Sequence, residues 1–269
     1  MSGFTLTLKQ APALRIDARS LLPAALASLS VAEVEKLPLP HGRDQIAVGD
    51  LFAVKASAED KLVLAGDLSR FDRIGWCLAD GELVVQGAVG AYAGGGMAGG
   101  RLTVQGDAGD MTACAMRGGW LEVAGHTGDL AASALPGDMD GMRGGCLVVR
   151  GNAGTRLADR MRRGTVVVFG DAGPLMASRM VAGTLALAGR CGANPAFGMR
   201  RGSIVFAGEP PAIGSTFVPL ASNADVFWQL LARDLARFGG AFAGLAQRRV
   251  VRHAGDLAVQ GKGELLIPA

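Results

Sequence analysis

From Gly81 onward, apolar and variable positions alternate in short bursts that recur at a fixed interval. A block opening on glycine begins at Gly81, Gly100, Gly119, Gly145, Gly164, Gly183 and Gly202, in steps of 19, 19, 26, 19, 19 and 19 residues. Within the blocks, Leu83, Leu102, Leu121, Leu147, Val166, Leu185 and Ile204 form one column. Val85, Val104, Val123, Val149, Val168, Leu187 and Phe206 form another, two residues on. Period two predicts a strand in every block. The column between them, Val84, Thr103, Glu122, Val148, Val167, Ala186 and Val205, is mixed and becomes apolar in the later blocks. An outer face of that kind invites a cover or a partner. The one long step is 19 plus 7, and its surplus falls in the Pro/Gly/Asp-rich stretch Ala134 to Asp140, predicted to bulge as a loop from one corner.

A 19-residue block is too short for a strand–helix–strand unit, which needs roughly 30 residues, and it lacks the helical run of other repeat families. The prediction is therefore an all-β chain, a right-handed parallel β-helix of about seven 19-residue coils, with an N-terminal cap and a C-terminal α-helical extension. The expected boundaries are 1–60 for the cap, 61–209 for the Gly-rich β-helix and 210–269 for the extension. Coils stacked about 4.8 Å apart would make a rod of roughly 35 Å. A second glycine follows the first by six residues, at Gly87, Gly106, Gly125, Gly151, Gly170, Gly189 and Gly208, and is expected to turn a corner.

Stacking makes further columns readable. Three residues before successive blocks stand Met97, Met116, Met142, Met161, Met180 and Met199, expected to fill the core at a corner because methionine adapts to irregular gaps. A substrate-contacting strip is the other reading. Directly after four of them come Arg117, Arg143, Arg162 and Arg200, joined by Arg163 and Arg201. Guanidinium groups aligned on one edge repel unless solvated or paired. The edge is either simply solvated or a docking site for an acidic partner surface or a polyanionic cofactor tail.

Outside the repeats, Phe4 to Leu8 alternates like a strand, and Leu21 to Leu29 reads as a short helix. After Pro219, Ser222 or Asn223 is expected to cap a helix running to Phe238, with Phe227, Leu230, Leu231, Leu235 and Phe238 on one side. It would cover the apolar outer face of the solenoid or lie against another subunit. Gly255 to Gly261 is expected to be one more strand.

Composition narrows the function. Glycine contributes 41 residues and aromatics only 5%, which asks for a regular backbone cause. A net charge of +3 is too small to argue for nucleic acid. No run approaches the ~20 apolar residues of a membrane helix, and four scattered cysteines without a C-x-x-C pair fit a reduced, cytoplasmic setting better than disulfides or a metal site. Gly94 to Gly99 satisfies G-x-G-x-x-G, yet a strand follows where a dinucleotide site needs a helix. His41, His126 and His253 are far apart. Asp107, Asp110, Asp129 and Asp171 lie near turns, and their simplest role is to stabilise those turns; a carboxylate pair for carbohydrate chemistry is the sharper alternative.

The run from Gly66 to Gly75, the Gly49-Asp50-Leu51-Phe52 approach and the seven G-x-Φ-x-Φ-x-G blocks resemble the C subunit of formylmethanofuran dehydrogenase. More distantly they resemble the C-terminal β-helix domain of the glutamate synthase large subunit. The nearer resemblance implies a non-catalytic component, either of an archaeal formylmethanofuran dehydrogenase or of the bacterial formyltransferase/hydrolase complex. The Ala/Arg/Gly-rich composition favours the latter. In such a complex a metal-bearing, amidohydrolase-like A subunit would hydrolyse and the D subunit would transfer the formyl group from tetrahydromethanopterin, with, as a further partner, the B subunit. No cofactor is expected on this chain itself. A methanofuran-type carrier with its glutamate-rich tail makes Arg117, Arg143, Arg162 and Arg200 a candidate contact. The competing readings are a glutamate-synthase-type spacer, a carbohydrate-active β-helix enzyme and a solenoid without enzyme partners.

Overall fold

The computed structural model describes residues 3–221 and 224–269, so the expected cap at Ser222 or Asn223 lies outside the described residues. The chain is mostly strands, and thirteen of them form one long sheet. They are β1 (Gly3–Leu8), β2 (Phe52–Ser57), β3 (Leu62–Ala65), β4 (Glu82–Gln86), β5 (Arg101–Val104), β6 (Trp120–Val123), β7 (Arg143–Val149), β8 (Arg163–Val168), β9 (Thr184–Leu187), β10 (Ser203–Phe206), β11 (Val218–Pro219), β12 (Val250–Gly255) and β13 (Gly263–Pro268). Strands β3 to β10 pair in parallel, each with the strand one block away, and their register keeps like with like. Leu62, Leu83, Leu102, Leu121, Leu147, Val166, Leu185 and Ile204 stand in one line. Because side chains alternate across a strand, that whole line and the line two residues on are buried.

A second ladder of single parallel bridges runs Leu68, Val89, Ala108, Thr127, Ala153, Ala172, Cys191. The seven surplus residues at 134–140 leave both ladders in register, since Leu121 still meets Leu147 and Thr127 still meets Ala153. A third side of each repeat is a chain of turns in which alternate residues have positive φ. One such column is Arg73, Tyr92, Met111, Leu130, Arg156, Leu175 and Asn194, all with φ between 55° and 64°. The cost of left-handed residues is offset because these turns hydrogen-bond from block to block. The Arg156 N–H donates to Pro174 O and the Ala158 N–H to Ala131 O.

The glycine columns divide by cause. The block-opening glycines do have positive φ, from 64° at Gly100 to 108° at Gly183. Of the second column only Gly87 lies in that range, at its edge. The others are set by close approach: a β-carbon on Gly106 would stand 2.7 Å from the backbone of the preceding block, and one on Gly208 only 1.9 Å from Ala188 O. The methionines Met97, Met116, Met142, Met161, Met180 and Met199 are all fully buried.

At the start of the sheet, β1 pairs in parallel with β3 and antiparallel with β2, so the N-terminal strand lengthens the sheet. At its other end, β13 pairs in parallel with β10 and antiparallel with β12. The expected strand from Gly255 to Gly261 is displaced: Asp256 caps a short 3-10 turn at Leu257–Val259, and the strand follows it. The C-terminal helix Asp225–Ala236 does cover the outer face. Trp228, Ala232, Leu235 and Phe238 pack on Val148, Val167, Ala186 and Val205. Its inward side matches the expected one in part: Leu235 and Phe238 are buried and Leu231 packs against them, but Phe227 and Leu230 point to solvent, and Trp228 and Ala232 take the inward places. The small Ala232 lets the helix approach the sheet closely, and the Trp228 indole N–H donates to Arg248 O at 2.8 Å, which fixes the rotation.

Candidate functional site: an arginine cleft beside the inserted loop

The surplus loop 134–140 does not merely bulge; it walls a cleft of about 490 Å³. Arg160, Arg162, Arg179 and Arg200 line it, with Met139 and Asp140 from the loop, Phe197 and Gly198 from a turn, and Asp256, Ala258 and Val259 from the C-terminal extension. The four arginines come from two columns. Arg162 and Arg200 belong to the edge directly after the methionines, two blocks apart. Arg160 and Arg179 sit in the positive-φ turns, one block apart, at 57° and 55°. That backbone is held by Arg160 N–H donating to Ser178 O and Arg179 N–H donating to Phe197 O.

The electrostatics are uneven. Arg179 donates to both oxygens of the buried Asp159 carboxylate, at 2.8 and 3.0 Å, and Ser178 Oγ donates to the same group at 2.8 Å. Arg162 pairs with Asp140 at 2.5 Å, and Arg143 approaches Asp140 only to 3.9 Å. Arg160 donates to the neutral carbonyl of Asp138, at 2.9 Å, and to Met139 Sδ, at 3.2 Å, and makes no ion pair among the described residues. Among the described residues Arg200 makes no ion pair. Asp256 is buried on the opposite wall, where its carboxylate accepts the N–H groups of Gly198 and Ala258, each at 3.0 Å. Burial pushes its pKa up, but the hydroxyl of Thr216 and these two amides together hold it below the usual carboxylate range. The wall is therefore anionic and already satisfied, while Arg160 and Arg200 lack a balancing charge.

Of the four arginines singled out in the sequence, the structure brings Arg162 and Arg200 into one cleft, while Arg143 and Arg117 do not line it. All four side chains are exposed. Sequence reasoning missed Arg160 and Arg179, which fall in turn positions without an alternating pattern. The available signal was their spacing of 19, the period of the strands.

The turn aspartates singled out in the sequence, and His126, are engaged in the fold, whereas His41 Nε2 and His253 Nδ1 are buried without a hydrogen-bond partner. Asp107 Oδ1 accepts the His126 N–H at 2.7 Å, His126 Nδ1 accepts the Asn152 N–H at 2.9 Å, Asn152 Oδ1 accepts the Asp171 N–H at 2.8 Å, and Asp171 Oδ1 accepts the Arg190 N–H at 2.7 Å. Asp110 and Asp129 do the same in a neighbouring column. Asp107 and Asp171 are thus rungs three blocks apart. Burial pushes the Cys114 thiol up to about 12 and the Cys146 thiol to about 11. No cluster of three or more His, Cys, Asp or Glu suited to a metal occurs among the described residues, and none of their helices is long and apolar enough to cross a membrane.

No family model matches the chain. A crystal structure of the formyltransferase/hydrolase complex from Methylorubrum extorquens, solved with methylofuran, contains a chain 40% identical to this one. The alignment covers 98% of this chain and 99% of that one, with a TM-score of 0.92. The chain belongs to the C-subunit family of formylmethanofuran dehydrogenases and formyltransferase/hydrolase complexes. Within that family, the C subunit of the Methylorubrum extorquens complex is 41% identical over 76 residues, 28% of this chain and 29% of the relative. The C subunit of the tungsten-containing formylmethanofuran dehydrogenase 2 of Methanothermobacter wolfeii is 33% identical over 101 residues, 36% and 37% of the two chains. The chain thus spans about a third of the length of these curated relatives, whereas the solved chain is matched end to end.

Proposed function

We propose that this chain is the non-catalytic C subunit of a formyltransferase/hydrolase complex, in which a formyl group delivered from tetrahydromethanopterin is released as formate. The observation that carries this reading is the near-complete match to a chain solved inside that complex. On this reading the repeats are coils of a right-handed parallel β-helix, about seven in number, divided as 1–60, 61–209 and 210–269. The glycine columns let the coils approach, and the methionine column fills one corner of the core. The partners are the formyltransferase D subunit, the B subunit, plus an amidohydrolase-like A subunit that carries the metal; all lie in the cytoplasm.

A scaffolding role is supported by how the reactive groups are used. The turn acids and the His126 imidazole hold consecutive repeats together, and burial disfavours the thiolate form of Cys114 and Cys146. The carrier is a methanofuran-type molecule, and the exposed edge of Arg117, Arg143, Arg162 and Arg200 offers a contact for its acidic tail or for an acidic partner surface. The uncompensated Arg200 fits such a group. The test is purification of the tagged chain from its native cytoplasm, with assays of formyl transfer and formate release. Copurifying amidohydrolase-like and formyltransferase subunits, with activity that the chain alone lacks, is the expected result. A chain that emerges active and alone overturns the reading.

A further inference from the structure

The rim of the cleft is apolar beyond what a bound anion would need. Met139, from the inserted loop, is 73% exposed and Phe197, from a turn, 60% exposed; Val259, 43% exposed, lines the cleft from the C-terminal turn, on which Leu257 is also half exposed. Large apolar side chains left in water next to arginines are the composition of interface centres, where Met, aromatic and Arg residues are enriched and bind in combination. We propose that the cleft receives an acidic segment of a partner subunit, which seats an apolar side chain between Met139 and Phe197 and presents its carboxylates to Arg160 and Arg200. This rests on the reading of the chain as one member of a complex.

Three observations favour that occupant. The cleft carries uncompensated positive charge, since Arg160 donates only to neutral acceptors, the Asp138 carbonyl and Met139 Sδ, and Arg200 makes no ion pair among the described residues. A protein segment brings apolar and acidic groups at once, whereas a polycarboxylate alone would leave the rim in water. Asp140, finally, already stands where a partner's carboxylate would stand, against Arg162 at 2.5 Å. Both side chains of that pair are partly solvated, 50% and 26% exposed, so the pair is held weakly and can be exchanged. Asp140 is therefore an internal placeholder that keeps Arg162 oriented until the segment arrives.

The test uses the assembled complex, purified through a tag on this chain and washed at rising salt. Wild type is compared with Arg200→Glu, Phe197→Asp and the double variant. Both positions are exposed, and unchanged melting of the isolated variant chains checks that folding is intact. The expected result is that each single variant lowers, by about tenfold or more, the retention of one partner subunit, with a flatter salt dependence for Arg200→Glu. A photoreactive phenylalanine placed at position 197 is expected to cross-link to an Asp/Glu-rich peptide of that same partner. Full retention of every partner by the double variant overturns the proposal. Loss of the small-molecule carrier with all partners retained also overturns it, and assigns the cleft to a free polycarboxylate. If wild type itself retains no partner, the complex reading fails and takes the proposal with it; if only the cleft variants are silent, the complex reading stands.

Discussion

The terminal methyl of Met161 lies 2.9 Å from the point where a β-carbon on Gly183 would stand. The same relation holds between Met142 and Gly164 and between Met180 and Gly202, each at 2.9 Å, and between Met116 and Gly145 at 2.8 Å. Two columns that look independent in the sequence are over these four blocks one packing device, in which Met116, Met142, Met161 and Met180 each fill the space vacated by a missing side chain one block further on. Met161→Ala would empty that space within a fully buried ladder. We predict a loss of about 2–5 kcal/mol, measured by urea unfolding, against less than about 1.5 kcal/mol for Met161→Leu. Equal costs for the two would mean that the site collapses around the smaller residue.

The block-opening glycines and the second glycine column are constrained differently. Gly183 has a φ of 108° and Gly208 has none in the left-handed range, yet a β-carbon on Gly208 would lie 1.9 Å from the Ala188 carbonyl. At Gly183 the first atom in the way is a flexible methyl. At Gly208 it is backbone. We predict that Gly183→Ala yields a folded protein weakened by roughly 1–3 kcal/mol, and that Gly208→Ala disrupts the pairing of the last blocks. Hydrogen exchange across residues 203–208 distinguishes the two.

How far the fold was legible follows from these columns. The strands were readable because a period of two within a period of 19 needs only identities and spacing. The turn side was not, since Arg73, Tyr92, Met111 and Leu130 share a left-handed backbone but no chemistry. Arg160 and Arg179 were overlooked for that reason. The buried face of the C-terminal helix was legible in part: Leu231, Leu235 and Phe238 do turn inward, but hydrophobicity alone favours Phe227 and Leu230 over Ala232, while the fit against Val167 and Ala186 favours the small residue.

Thiol reactivity should separate sharply. Cys77 is exposed, whereas Cys114 and Cys146 are buried with thiols pushed up to about 12 and 11. Because the thiolate is the reactive form, brief treatment of the folded full chain with iodoacetamide is expected to label Cys77 ahead of these two, and urea to open them. Mass spectrometry of the peptides reads this directly. Rapid native labelling of Cys114 would contradict the packing of that turn.

Asp256 sets an acid limit. Its carboxylate is buried, yet Thr216 and two backbone amides hold its pKa below that of an unfolded aspartate. The folded state therefore binds this proton less readily than the unfolded state. The stability it contributes is present above the unfolded pKa, near 4, and is lost as pH falls through the folded value. Asp256→Asn should melt lower than wild type near neutrality and lose less on acidification from about pH 6 to about pH 3. Asp17, depressed by Arg19 and Arg73 against the opposing effect of burial, still contributes in both proteins. Parallel melting curves would show that Asp256 is not a source of the acid dependence.

The two sides of the C-terminal helix make opposite predictions. Trp228 is 2% exposed, packs on the outer column of the sheet and donates to Arg248 O. Trp228→Ala removes both contacts and is expected to cost about 3–5 kcal/mol in the isolated chain, with the helix undocking and Val148, Val167 and Val205 becoming accessible to a hydrophobic dye. Leu230 is 64% exposed on the outward side, so Leu230→Asp should leave the melting temperature of the isolated chain within error. A helix whose inner side is required for folding and whose outer apolar side is not has that outer side available for contacts beyond the chain. If Leu230→Asp also destabilised the isolated chain, the outward residues would be packing at home, and the helix would be a cover alone.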